Sequence, residues 1–279
     1  MTVLVIGSTG TTGRLVAEGL ARRAYEVRGT SRHPSAGEFR FDWYDTSTHE
    51  DALRGVDAVY LVPPVGEPDP APVMSPFLER ALGSGVRRAV LLSSSATDDA
   101  AEGLGLVHRR LAGSFDEWAV LRPSWFMTNF TGRHPQAISA RENGEIVSAT
   151  GDGRVAFVDP ADIADVGVHA LTDDVPHNTG HLITGPEALS YREVAEVITE
   201  FHGHPVRHRA LDPAELVTWL TGAGLSVRFA RILADLDTEI ANGAENRTTT
   251  TVLDVTGRMP RSLKSFCAGQ RPSTRPQAR

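Results

Sequence analysis

Three glycines spaced three apart, Gly7, Gly10 and Gly13, follow directly on the apolar run 3–6 and precede an amphipathic stretch over 14–24. The order predicts a buried strand that turns abruptly into a helix. The chemistry this arrangement supports is recognition of phosphate, because a helix N-terminus presents unpaired N–H groups and a partial positive charge. Gly7 permits the tight turn, Gly10 lets the backbone approach a pyrophosphate with no Cβ in the way, and Gly13 lets helix and strand pack closely. Thr9, Thr11 and Thr12 lie in the same turn and belong to the expected site. The spacing is Gly-x-x-Gly-x-x-Gly rather than Gly-x-Gly-x-x-Gly. Its place between a strand and a helix makes it a dinucleotide signal.

Residues at later strand ends extend that site. The second predicted strand, 26–30, runs into Ser31-Arg32-His33, where an acidic residue would hold a ribose 2′-hydroxyl. A hydroxyl and a guanidinium suit a 2′-phosphate instead, so the predicted cofactor is NADP(H). Asp42-Trp43 follows the third strand region, where the aspartate is expected to accept from an adenine amino group and the indole to stack. Val62 and Pro63, followed by Pro64, end the next strand and predict an apolar wall beside the nicotinamide ribose. Ser93 and Ser95 end the one after it.

The elements that must position these residues read as α/β. Apolar strands at 3–6, 26–30, 58–62, 89–92 and 119–121 alternate with helical stripes. Met74, Phe77, Leu78, Ala81 and Leu82 form one such stripe, and Ser47 with Glu50 reads as a capping box. The prediction is a Rossmann-type doubly wound parallel sheet with a smaller, mostly helical C-terminal substrate lobe. The dinucleotide domain is expected over 1–124 with 153–184 returning to it, the lobe over 125–152 and 185–269, and a disordered tail over 270–279. Helix starts are expected at Asp159-Pro160, Ser190-x-x-Glu193 and Asp212-Pro213, and a strand is expected to carry His202, His204 and His208. These histidines lack an acidic partner to complete a ligand set, so no metal site is predicted. A net charge of −7 argues against nucleic acid as a partner. No apolar run reaches membrane-spanning length. Cys267 is the only cysteine and allows no intrachain disulfide, so a cytoplasmic setting is expected.

Several stretches carry a family likeness: 41–45 (Phe-Asp-Trp-Tyr-Asp), 58–64 (Ala-Val-Tyr-Leu-Val-Pro-Pro), 85–88, 121–130 (Leu-Arg-Pro-Ser-Trp-Phe-Met-Thr-Asn-Phe), 148–153, 170–173 and 242–245. On these the chain resembles the NmrA-like group of atypical short-chain dehydrogenases, and within it the ergot-alkaloid reductases. The resemblance implies NADPH and reduction of a C=N bond in a small secondary-metabolite substrate, a nitrogen heterocycle. In short-chain dehydrogenases the serines after this strand include a cofactor contact, here Ser93, and a catalytic hydroxyl, here Ser95 in an assisting role. A Tyr-x-x-x-Lys pair then donates the proton. Here that pair is absent, and Ala101 and Gly105 stand at its places. Hydride delivery to a ketone creates an oxyanion that needs a proton, whereas delivery to an iminium gives a neutral amine and needs none. Quinone or enone reduction is the alternative, and an NADP-binding redox-sensing regulator without turnover is the non-enzymatic one. His108 is a candidate acid. Trp125, Phe126, Asn129 and Phe130 follow the sixth strand and are the candidate substrate residues, an aromatic group suited to a flat or cationic ring.

Overall fold

The computed structural model describes residues 1–35 and 37–270. In chain order the first half contains β1 (Thr2–Val5), α1 (Gly13–Arg22), β2 (Glu26–Ser31), β3 (Phe39–Arg40), α2 (His49–Leu53), β4 (Ala58–Leu61), α3 (Ala71–Gly83), β5 (Arg88–Leu92), α4 (Leu104–Ser114) and β6 (Glu117–Pro123). The second half contains α5 (Pro135–Asn143), β7 (Glu145–Ser148), β8 (Arg154–Val155), α6 (Pro160–Thr172), β9 (Thr179–Ile183), β10 (Leu189–Ser190), α7 (Tyr191–His202), β11 (Arg207–Ala210), α8 (Pro213–Gly222), α9 (Val227–Ala241), α10 (Thr251–Thr256) and α11 (Leu263–Gln270).

The chain divides into two compact units. The first comprises Met1–Ser124, Pro160–Thr184 and Thr249–Met259; the second comprises Trp125–Asp159, Gly185–Thr248 and, among the described residues, 260–270. Two segments depart from the expected boundaries. Residues 153–159 stay with the second unit, because β8 pairs antiparallel with β10. Thr249–Met259 returns to the first, where the Thr249 side chain donates to the Leu182 carbonyl at 2.8 Å. The expected tail beyond residue 270 lies outside the described residues; Gln270 itself closes α11.

The first unit is a seven-stranded sheet of order β3-β2-β1-β4-β5-β6-β9, parallel throughout. Its central strands are continuous apolar runs because both faces are covered. Val3–Val5, Ala58–Leu61, Ala89–Leu91 and Ala119–Leu121 are all fully buried. On one face Met74, Phe77, Leu78 and Ala81 of α3 and Val107 and Leu111 of α4 form a single core with Leu4, Val59, Leu91 and Val120. On the other face Gly167 lets α6 come close to Leu121, Tyr60 and Val16. Strand order reverses between β1 and β4, so the carboxyl ends of these two strands frame the switch-point crevice. The flanking strand β9 was not among the predicted strands. Its sequence, Thr-Gly-His-Leu-Ile, lacks an apolar run.

The second unit is mostly helical around a core of Met127, Phe130, Phe157, Tyr191, Val194, Ile198 and Ile240. Two of the expected helix starts carry capping boxes, Ser190 with Glu193 and Asp212 with Glu215. The Ser47 box does not form. Asp45 instead accepts from the Ser47 N–H and caps a short 3₁₀ turn ahead of α2. No single strand carries the three histidines: His202 ends α7 while His208 sits in β11.

Candidate active site

The turn after β1 is built from contacts that only glycine allows. Gly7 has φ +73°, and a Cβ at Gly13 would stand 2.2 Å from the Gly7 carbonyl oxygen. A Cβ at Gly10 would meet only that same oxygen, at 3.2 Å, with no other heavy atom within 4 Å. Gly10 therefore has open space where a pyrophosphate would approach. The first turn of α1 contains no acidic residue, and Thr12 makes no side-chain cap. This N-terminus is electrostatically open to an anion. Thr9 and Thr11 are exposed and Thr12 is buried.

A cavity of about 610 Å³ opens beside the turn. It brings together Gly7, Thr9, Gly10, Ser31, Arg32, Asp42, Trp43, Val62 and Pro63, joined by Tyr44, Pro64 and Val65 from neighbouring loops. The Ser31 hydroxyl accepts from the His33 N–H at 3.2 Å, and the exposed Arg32 guanidinium shares the rim. Glu38, which sequence reasoning passed over, lies behind this rim. It accepts from the Ser35 N–H at 2.8 Å and from the Ser8 hydroxyl at 3.4 Å, and so ties the Arg32 loop to the glycine turn.

Trp43 corrects the stacking expectation. It is only 8% exposed, its indole N–H donates to the Val62 carbonyl at 3.0 Å, and its ring packs edge-on against Phe41 and Phe77. The indole supports the wall, while the neighbouring Tyr44 is the exposed aromatic. Asp42 accepts from the Tyr44 N–H at 3.0 Å.

Ser93 and Ser95 extend the β5–β6 ladder past the strand ends, through Ser93 N–H to Leu121 O at 2.7 Å and Ser95 N–H to Pro123 O at 2.9 Å. Ser95 is buried, Ser93 half-buried. The places of the missing pair are also changed in shape. α4 starts only at Leu104, so Ala101 precedes the helix. A Cβ at Gly105 would lie 2.6 Å from the Asp98 carbonyl oxygen and 3.1 Å from the Ala101 Cβ. Backbone occupies the volume in which a lysine stem would start.

His108 lies deeper along the sheet. Its ring meets Trp118 at a centroid distance of 5.5 Å and stands 3.3 Å from where a Gly180 Cβ would be. Gly180 is in register with Val120, three residues short of the end of β6. Burial lowers the His108 pKa, opposed by Asp99 and reinforced by Arg122. This is the environment of a packed neutral imidazole.

In the second unit Trp125, Phe126 and Asn129 are half-buried. Trp125 packs on the core and is hydrogen-bonded to the Tyr191 hydroxyl, and Phe126 bridges to Val158. Phe130 departs from expectation. It is 1% exposed and wedged edge-to-face between Phe157 and Tyr191, so it is a core residue. Among the described residues no group of three or more His, Cys, Asp or Glu is arranged to hold a metal ion, and no helix is long and apolar enough to cross a membrane.

No family model matches the chain. Individual relatives do. The chain is 43% identical over 270 residues to the uncharacterized oxidoreductase YesF of Bacillus subtilis, covering 95% of this chain and 94% of YesF. It is 37% identical over 278 residues to agroclavine dehydrogenase of Claviceps fusiformis, covering 95% and 96%. Its fold is similar to that of the NADPH-dependent quinone oxidoreductase QOR2 of Escherichia coli, solved with NADPH, at a TM-score of 0.82 and 24% identity over 96% of this chain and 99% of the other. Sequence identity of this extent along nearly the whole chain, on a parallel sheet with a glycine turn at its switch point, places the protein in the NmrA-like group of atypical short-chain dehydrogenases, a family of oxidoreductases.

Proposed function

We propose that the protein is an NADPH-dependent oxidoreductase that reduces an imine or iminium C=N bond in a small nitrogen heterocycle. One observation carries this reading. The glycine turn and its rim offer the features a dinucleotide needs, yet no tyrosine stands at the donor's place, which is Ala101, and the place of its partner lysine, Gly105, is closed by the Asp98 backbone. NADPH, when bound, supplies the hydride. The chain's own residues bind and orient. The open α1 N-terminus and Gly10 receive the pyrophosphate, Ser31 and Arg32 the 2′-phosphate, and Val62 with Pro63 excludes water beside the ribose. Substrate contacts are assigned to Trp125, Phe126 and Asn129, and Ser95 assists by a hydrogen bond. A site that places an already electrophilic carbon needs positioning more than proton donation. The 37% identity to agroclavine dehydrogenase supports the same bond type.

A second reading, quinone or enone reduction, draws on the same missing donor, since solvent can protonate the product. The fold shared with the quinone oxidoreductase agrees with it. Consumption of NADPH across cyclic iminium salts, quinones and enones decides between them. Turnover confined to the iminium salts is expected, quinone turnover alone would select the second reading, and binding of NADPH without any turnover would leave a sensor.

A further inference from the structure

A separate cavity lies at the far end of α1 from the glycine turn. The helix is 10 residues long, about 15 Å, and nothing in the proposed reaction uses its C-terminal end. The cavity measures about 250 Å³. Arg22 and Arg23 reach it from the end of α1, Asp165 and His169 from one face of α6, and Arg258 from just beyond α10. Gly19 lets the two long helices close on each other, for a Cβ there would stand 2.8 Å from Val168 of α6. The chain carries a net charge of −7. Three guanidiniums nevertheless surround this cavity, and Asp165 is the only carboxylate lining it among the described residues. A cation at a helix end answers the macrodipole, but one suffices, and it does not explain three from separate elements.

The three are held in ways that leave positive charge available. Arg258 is paired with Asp165. The Arg22 guanidinium has no hydrogen bond or ion pair among the described residues. Arg23 is braced by uncharged acceptors: it donates to the Thr172 hydroxyl at 3.0 Å and to His169 Nε2 at 2.7 Å. An arginine only donates, so Nε2 accepts and the ring proton lies on Nδ1, which donates to Asp173 at 3.0 Å. Asp173 thus fixes the imidazole, and the imidazole fixes the guanidinium without cancelling its charge. Only two of the five Arg23 N–H donors are spent on this bracing.

We infer that this cavity binds a phosphate group, free or as a phosphomonoester, with Arg22, Arg23 and Arg258 as its cationic wall and His169 as the residue that positions Arg23. Guanidinium forks match the oxygens of a phosphate, and an occupying dianion offsets the local excess of positive charge. The inference does not rest on the cofactor reading, because it concerns the other end of α1.

The probes are inorganic phosphate and glycerol 3-phosphate, titrated into the full chain by calorimetry at fixed ionic strength with chloride as the only other anion. Wild type should bind phosphate, and Arg22→Gln should weaken it tenfold or more. Arg22 is exposed, so that variant should keep the wild-type melting temperature in chloride. Asp165→Asn keeps an acceptor for Arg258 and removes the one opposing charge. It should tighten phosphate threefold or more, a gain that misfolding does not produce. His169→Ala should cost two- to fivefold, His169→Gln should restore most of that loss, and His169→Ala added to Arg23→Gln should cost nothing more. Tighter binding of the ester than of phosphate assigns a phosphomonoester; equal or weaker binding assigns the free ion. No binding of either probe would overturn the site. Phosphate affinity unchanged in Arg22→Gln would put the anion elsewhere, the glycine turn included, and overturn it too, as would weaker binding in Asp165→Asn. Additive losses from His169→Ala and Arg23→Gln would overturn the positioning role.

Discussion

A Cβ placed on Gly105 would stand 2.6 Å from the carbonyl oxygen of Asp98, closer than real Cβ atoms approach. The loop that carries Asp98 is itself fixed. The Asp98 carboxylate accepts from the Ala100 and Ala101 N–H groups at 3.0 Å each, and Arg109 reaches back to the Asp99 carbonyl. Loss of the tyrosine–lysine pair in this chain is therefore accompanied by a rebuilt backbone rather than by two substitutions on an unchanged helix. Gly105→Ala should destabilise by about 1–3 kcal/mol through overpacking, and the double change Ala101→Tyr with Gly105→Lys should create no ketone reductase. Thermal melts and a ketone panel check both. A stable double variant that reduces ketones would show that the site was merely missing its donor.

Gly10 and Gly13 should fail in different ways. Gly13 touches Gly7 backbone, so Gly13→Ala should cost about 3 kcal/mol or more of stability. Gly10 has space beyond one carbonyl. Gly10→Ala should retain the fold and weaken NADPH about tenfold or more by blocking close approach. Melting temperature alongside calorimetric affinity separates the two, and a folded Gly10→Ala with unchanged affinity would move the phosphate site elsewhere.

Arg32→Ala should weaken NADPH about tenfold or more, the range for a hydrogen bond to a charged group, and change NADH little. Glu38, which holds the same loop through Ser35 and Ser8, should give a smaller loss of NADPH preference when changed to glutamine. Equal losses for both cofactors in Arg32→Ala would remove the 2′-phosphate assignment.

Much of this was legible in the residues, for physical reasons. Central parallel strands are buried on both faces, so 3–5 and 58–61 read as unbroken apolar runs, and the glycine turn is local chemistry. Capping boxes at Ser190 and Asp212 are equally local. What was not legible depends on distant partners. Ser47 and Glu50 have capping-box spacing, but Asp45 takes the Ser47 N–H first. Trp43 and Tyr44 are adjacent aromatics, and only the packing of Phe41 and Phe77 decides which one is buried. Phe130 shares its stretch with Trp125 and Phe126, yet Phe157 and Tyr191, far along the chain, draw it into the core. The return of 249–259 to the first unit rests on contacts with Leu182 and Thr184 that no local pattern announces.

Stability should carry a pH signature from the second unit. Burial pushes the Asp237 carboxyl up from 3.8 to about 6, against the Ala149 N–H that holds it down. That N–H donates to Asp237 at 2.8 Å. A carboxyl whose folded pKa is raised binds its proton more tightly in the folded state. Its contribution is therefore present below the unfolded value and is lost as pH rises through about 6. The loss amounts to about 3 kcal/mol at neutral pH. Asp237→Asn keeps the acceptor and removes the charge. It should raise the melting temperature at pH 8 and change it little at pH 4. The same shift at both values would mean that the carboxylate is not held charged and buried.

The chemistry itself can be tested through His108 and Ser95. His108 is packed against Trp118 and beneath Gly180, and burial holds its pKa down. It is thus held toward its neutral form, which lacks the acidic proton, and is set back from the strand ends. With a permanently charged iminium as substrate, His108→Ala should leave kcat within about twofold, and kcat should be flat with pH because no proton is required in the step. With a neutral imine the rate should instead follow protonation of the imine. Ser95→Ala should cost about tenfold or less, whereas loss of a true oxyanion donor costs ~10²–10³. Hydride transfer to the charged substrate that collapses in His108→Ala, or that titrates with an enzyme group, would show that a protein acid is required and would end the donor-free mechanism.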